Sequence, residues 1–361
     1  MRNTLSRLIA ALGTGVGLAL TAGSASAQVE ITSKAMEIKL TGRAHAQWNT
    51  SSVDAEPATT FLLRRARIVA EVKVNDFVFG KVEPEYGRGN VILRDAYVRL
   101  TFSPFFRWTI GQFKRPFDQF QLRTSTQILM IEREGPVRGV DTCAGVGSIC
   151  AFSRFTSRLE YSERDIGFMF DGQLGSAPFR YYASVMNGRG DNHSVDENGT
   201  KSYTGRLEYG VAGLRVGAHL GVHDYPNDST GTDEYGVAFG GDVDWGEYEQ
   251  IGLHVKAGVV YGDNWRNLAT PDPSKFFAAQ AAATYRVPIR DNRFLYAVGP
   301  VARVSWGDPD TDVGDDDGWL LTGGVAFFFT GRNKLALNVD IWRPAAGETE
   351  YSLKAQSYMH F

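Results

Sequence analysis

Within Ala35–Trp48 the even positions from Met36 onward carry Met36, Ile38, Leu40, Gly42, Ala44, Ala46 and Trp48. The odd ones carry Glu37, Lys39, Thr41, Arg43, His45 and Gln47. Successive side chains of a strand point to opposite faces, so this stretch predicts a strand with one apolar and one wet face. Leu214–His223 repeats the pattern, with Leu214, Val216, Ala218, Leu220 and Val222 opposite Arg215, His219 and His223. Ile251–Tyr261 does so again, with His254 and Lys256 on the polar side.

Alternation alone also fits a soluble sandwich. Three further features point to a membrane barrel. The strands run to ten residues or more, the length a tilted strand needs to cross a bilayer. The N-terminus has the form of an export signal, yet no later apolar stretch approaches the ~18 residues of a spanning helix. Short turns also alternate with longer links along the chain. Short turns are expected near Asn75-Asp76, Ser103-Pro104, Gly175-Ser176, Gly210–Gly213, Gly246-Glu247, Pro288–Asn292 and Gly331-Arg332. Longer links are expected near 49–60, 87–90, 114–163, 188–201, 224–233, 263–274, 307–317 and 344–349. Together they predict an all-β fold, a transmembrane antiparallel β-barrel of 16 strands with both termini on the periplasmic side.

The first residues, MRNTLSRLIAALGTGVGLALTAGSASAQ, combine Arg2 and Arg7, the apolar Leu8–Ala22 and a small-residue cleavage site at Ala25-Ser26-Ala27. Residues 1–27 therefore read as a signal peptide cut after Ala27, and 28–361 as the barrel domain. Cleavage removes two arginines, taking the formal net charge from −3 to −5. Glycine, 40 of 361 residues, exceeds the ~7% average and suits many turns. The only cysteines, Cys143 and Cys150, lie in DTCAGVGSIC. In an exported protein a disulfide is the default reading and a pair of unbridged thiols the alternative. No histidine lies nearby to complete a metal set, and the sequence implies no cofactor, metal or nucleic-acid partner. The aspartates of DPDTDVGDDDG (308–318) read as a solvated outer loop or as a cation site bridging lipopolysaccharide.

Polar parity assigns Lys39, Arg43, Arg65, Arg67, Lys73 and Arg99 to the lumen, where basic side chains outnumber acidic ones. In TFLLRRARIVAEVKV (60–74) strict alternation turns Arg64 toward lipid, where a charge at mid-membrane costs ~2–4 kcal/mol. Arg64 would then lie in a trimer interface or near the outer rim, unless a bulge or twist turned it inward beside Arg65. The connection 114–163 is far longer than an ordinary loop and contains apolar residues that could pack.

FLLRRARIVAEV (61–72), LRDAYVRL (93–100), TIGQFKRPF (109–117), MIERE (130–134), RDIGFMFDGQL (164–174) and YYASVMNGRG (181–190) together resemble the phosphate-selective porin O and P family. The resemblance covers the N-terminal half and, through strand pattern and the terminal Phe361, extends over the rest. It implies a 16-stranded outer-membrane porin, usually a homotrimer, and the final alternating strand ending in Phe361 has the form that the barrel-assembly machinery recognises. Its long third outer loop, here 114–163 with Cys143 and Cys150 as a staple, would fold into the lumen. The family's constriction arginines fall on Arg64, Arg65 and Arg133, with Arg67, Arg123 and Arg115 as further candidates and Arg138 a weaker one. Phosphate-selective members carry a loop lysine where this chain reads Phe120-Gln121-Leu122-Arg123. The expected function is passive diffusion of small anions, with phosphate and polyphosphate as candidates. A general or carbon-substrate channel is the alternative. A barrel hydrolase would need a nucleophile beside a wall histidine such as His219 or His223, and no such constellation is evident.

Overall fold

The structure, a computed structural model, describes residues 29–32, 36–52, 59–133, 151–193, 195–196, 198–227, 230–267 and 272–361. The signal segment, Arg138 and both cysteines lie outside the described residues.

A four-residue strand β1 (Val29–Thr32) precedes the wall. The first half of the wall is β2 (Glu37–Ser51), β3 (Thr59–Lys73), β4 (Val78–Glu85), β5 (Ile92–Ser103), β6 (Phe106–Lys114), β7 (Arg164–Gln173), β8 (Phe179–Met186) and β9 (Ser202–Val211). The second half is β10 (Leu214–Asn227), β11 (Thr232–Trp245), β12 (Gly252–Asn264), β13 (Ser274–Pro288), β14 (Ala297–Asp308), β15 (Gly318–Thr330), β16 (Asn333–Pro344) and β17 (Glu350–His360). Each pairs antiparallel with its neighbours, and β17 returns to β2. The result is a closed 16-strand barrel in which no edge is left to face lipid.

Closure depends on the chain ends. Phe361 and Gly42 exchange backbone hydrogen bonds of 2.7 and 3.1 Å, and a side chain at Gly42 would strike the Phe361 ring. Below that point β1 takes over from β17 and pairs with Glu37–Leu40.

The alternation read from sequence is the inside–outside alternation of the wall. On β12, His254, Lys256 and Val260 are buried inward, while Leu253 and Val259 are exposed on the outer face. The two-residue turn between β9 and β10 places Ala212 at φ 47° and Gly213 at φ 79°. Both angles are positive, as a two-residue hairpin matching strand twist requires.

Three links differ most from the sequence expectation, among them the turn expected at Gly246-Glu247, which spans 246–251. The outer link expected over 224–233 is only 228–231, because the β10–β11 ladder continues to Asn227 opposite Thr232. The inner link expected at Pro288–Asn292 extends over 289–296, where the Asn292 side chain accepts from the amides of Phe294 and Leu295 at 2.9 and 3.0 Å.

The connection between β6 and β7 carries two short helices, α1 (Gln119–Leu122) and α2 (Phe152–Arg158). Its described parts lie against inward-facing wall residues. The Gln119 amide donates to Asp242, that of Ile131 to Asn338 and that of Phe152 to Ser305, at 3.1, 2.7 and 2.9 Å. Phe117, Phe120, Phe152, Phe155, Leu159 and Tyr161 form one apolar cluster with Phe276, Leu320 and Trp342. Leu129, Met130 and Ile131 form another with Tyr248, Phe328 and Tyr358. Small wall residues make the space. A Cβ at Gly258 would meet Phe120, and one at Gly307 would meet Phe155. Burying each large ring is worth ~1.5–3 kcal/mol. These clusters pack against the inner face of β11–β17 and leave cavities along the β2–β7 wall.

Candidate functional site

Along the β2–β7 wall the β2–β3 register skips between His45 and Ala46: His45 opposes Arg65, Ala46 opposes Leu63, and Arg64 is the extra residue. This bulge changes which parity faces inward. Below it Arg65 and Arg67 are buried in the lumen; above it Phe61 and Leu63 face out. Arg64 and Arg65, adjacent in sequence, consequently share the inner face. Arg64 donates from Nε and Nη2 to the two oxygens of Glu132, at 2.5 and 2.8 Å, and Arg65 Nη2 lies 3.9 Å from the same carboxylate.

A second skip, between Val82 and Pro84, sets Arg94 and Asp95 of β5 against Glu83 of β4. Arg94 reaches Asp191 in the β8–β9 link at 3.0 Å. Asp95 accepts from Lys81 at 2.6 Å and from Arg164 at 2.7 Å. Glu83 is shared by Arg67 at 2.8 Å, Lys81 at 2.9 Å and Arg43 at 3.3 Å. Arg67 is also bonded to Glu85. Arg43 reaches the connection, donating to Thr124 and Ser125 at 2.9 and 3.0 Å. Glu132, Asp95 and Glu83 thus each hold two or three cations in place, Glu85 and Asp191 one apiece, and the cations remain in excess.

Two cavities follow this wall. The outer one, about 460 Å³, is lined among the described residues by ten arginines against four carboxylates. Its carboxylates include Glu160, whose carboxyl is pushed up by burial against the pull of Arg115 and Arg266. The inner one, about 280 Å³, has seven lysines and arginines against Glu83 and Asp95. Arg67, Arg133 and Arg164 line both and therefore mark the junction. Arg133 is held there by backbone: Nε donates to the Phe120 carbonyl at 2.9 Å, and its own carbonyl accepts from Arg303 of β14 at 2.8 Å. An anion at the junction would exchange its hydration for guanidinium donors. A cation would meet repulsion of ~4 kcal/mol per charge at 4 Å in a partly shielded site.

Of the six arginines expected together, Arg64, Arg65, Arg67 and Arg133 converge, and two do not. Arg115 is buried at the root of the connection, paired with Asp165 at 2.6 Å and 3.1 Å from His223 Nδ1, and lines none of these cavities. Arg123 turns beneath the connection to Asp244 on β11. In each case a buried carboxylate distant in sequence outcompetes the lumen. Of the expected pore-lining residues, Arg43 and Arg99 line the inner cavity. Lys39 and Lys73 lie at the periplasmic rim, where Lys73 pairs with Asp76. Arg94, Arg164, Arg154, Arg158, Arg189 and Arg266 of the outer cavity escaped sequence reasoning, the last four because links and a loop helix carry no strand parity. Ser202 Oγ lies 3.1 Å from His223 Nδ1, but Ser202 donates to Asp224, and the acid on the far side of the ring, Glu160, stands 4.0 Å from Nε2, beyond the hydrogen-bond distance a triad requires.

The family model for phosphate-selective porin O and P matches residues 38–251. Solved structures with similar folds include an anion-selective porin from Comamonas acidovorans, 13% identical, with a TM-score of 0.64, covering 90% of this chain and 100% of that one. OmpF of Salmonella typhi in complex with daunomycin is 14% identical, with a TM-score of 0.60 and coverage of 92% and 100%. The outer membrane channel DcaP of Acinetobacter baumannii is 15% identical, with a TM-score of 0.58 and coverage of 91% and 99%. No curated protein matches the chain.

Proposed function

Because the chain belongs to the phosphate-selective porin O and P family, and so forms an outer-membrane channel for passive diffusion, we propose that the solutes it favours are small anions. The observation that carries this reading is the meeting of two arginine-rich cavities at Arg67, Arg133 and Arg164. Anions attracted into the outer cavity pass the junction by exchanging one set of guanidinium donors for the next. Selection is by charge and by fork-shaped hydrogen bonding, which suits oxyanions such as phosphate and polyphosphate.

A second reading, a general or carbon-substrate channel, is favoured by the carboxylates Glu83, Glu85, Asp95 and Glu132, which neutralise part of the arginine row. The biogenesis proposed with the channel is cleavage after Ala27, delivery of 28–361 by the barrel-assembly machinery and assembly as a homotrimer among lipid and lipopolysaccharide. Purified protein in a planar bilayer under a KCl gradient tests the function. The expected reversal potential shows anion preference, with phosphate blocking the chloride current in wild type and not in Arg133→Ala. Cation preference would sink the arginine reading, and chloride preference without phosphate block would leave anion passage without oxyanion selection.

A further inference from the structure

A third cavity, about 370 Å³, lies beneath the β6–β7 connection on the β10–β12 side. It shares no lining residue with the two cavities of the path. The connection itself is the partition: Leu122 and Thr124 face the inner path cavity, and Arg123 between them faces this one. Its remaining floor and walls come from the periplasmic turn around Tyr248, from Arg215 of β10 and from His254 and Lys256 of β12.

Lys256 is 3% exposed, lines the cavity, and makes no hydrogen bond or ion pair among the described residues. Its cross-strand neighbour is Asp244, but that carboxylate is already occupied. One oxygen accepts from Arg123 and Arg215, and the other from His254 Nε2 at 2.7 Å. Arg123, Arg215 and Lys256 are therefore three cations around one carboxylate. Glu249 on the rim is paired with Arg332, and Glu247 is exposed. The other ring nitrogen of His254, Nδ1, is buried and also lacks a partner. With Nε2 donating to Asp244, Nδ1 is an acceptor, suited to the O–H of a hydrogen phosphate. A buried ammonium without a counter-charge is unfavourable unless something supplies one.

We propose that this chamber is a second binding site, off the conduction path, for a small oxyanion such as hydrogen phosphate, held by Lys256 and Arg123 at the periplasmic mouth. It stands apart from the path reading, because its test needs no conduction.

Inorganic phosphate is titrated into full-length protein in detergent, with binding heat and thermal unfolding both recorded. Wild type is expected to bind phosphate and to gain thermal stability from it, since a ligand held by the folded state alone stabilises that state. Arg133→Ala loses the share of the gain that the path junction supplies and keeps the share that this chamber supplies. In the Arg133→Ala background, where the path contributes least, Lys256→Met unfolds at a higher temperature without phosphate, gains nothing from phosphate, and loses this binding by about tenfold or more. Lys256→Arg restores the gain. Equal phosphate stabilisation of Arg133→Ala with and without Lys256→Met overturns the site, as does a gain that disappears wholly in Arg133→Ala. Arg123→Gln, on the connection rather than the wall, is read by the same criteria if Lys256→Met does not assemble. Loss of anion preference in bilayers with an intact phosphate gain would overturn the path reading alone.

Discussion

Arg64 of β3 grips Glu132, 68 residues away on the connection, through two parallel hydrogen bonds of 2.5 and 2.8 Å. The pair joins the β2–β7 wall to the segment that carries Arg133, and it places one negative charge inside the arginine row. Glu132→Gln preserves shape and removes that charge, so the anion-to-cation permeability ratio is expected to rise several-fold. Arg64→Gln should lower it, and the double variant should return near the wild-type value. Reversal potentials of the four proteins close the cycle, and shifts of equal sign in the two single variants would contradict the pairing.

Deleting Arg64 tests the bulge. Arg65 and Leu62 already face opposite ways from Leu63, so removing the extra residue restores plain alternation without turning any other side chain over. The deletion is therefore expected to fold and to keep its heat-modifiable gel mobility, while losing the Glu132 anchor and showing noisier single-channel current. A deletion that abolished folding would show that the bulge sets the register of the wall.

Arg115 and Arg133 should separate stability from selection. Arg115 and Asp165 are each 1% exposed, and removing one partner strands a buried charge at a cost of ~3–5 kcal/mol. Arg115→Met should lower the unfolding temperature or prevent assembly, with Asp165→Asn in the same chain recovering part of the loss. Protein that does insert should keep wild-type ion preference. Arg133→Ala should do the reverse, and thermal melts beside reversal potentials distinguish the two.

The acidic outer loop should respond to pH. Burial, with the nearby charges of Asp308 and Asp310, pushes the Asp316 carboxyl up to about 6. A carboxyl raised in the folded state binds its proton more tightly there than in the unfolded chain. The loop's stability is therefore highest at acid pH and falls as pH rises from the ordinary carboxylate range, ~4, through about 6. Hydrogen exchange across 309–317 should accelerate over that interval beyond its intrinsic pH dependence. Asp316→Asn should remove the excess.

Sequence by itself determined the wall. Strand parity is local, so Met36 to Trp48 or Leu253 to Val259 disclose which side chains face lipid without reference to any partner. Parity also singled out Arg64, because two adjacent guanidiniums cannot obey a period of two and lipid penalises the outward one. The family resemblance, rather than parity, favoured a bulge over a place at a rim or interface. Tertiary structure decided which arginines meet. Arg154, Arg158, Arg189 and Arg266 sit where no periodicity orients a side chain, and closure of the barrel brings them to one cavity. Arg115 and Arg123 belong to the same segment as Arg133, yet Asp165 and Asp244 draw them aside across 50 and 121 residues. The packed face of the lumen also required the fold, because Gly258 and Gly307 become sockets only when the aromatics of the β6–β7 connection reach them. Facing is a property of neighbours along a strand. Convergence depends on charges and volumes that only the closed wall brings together.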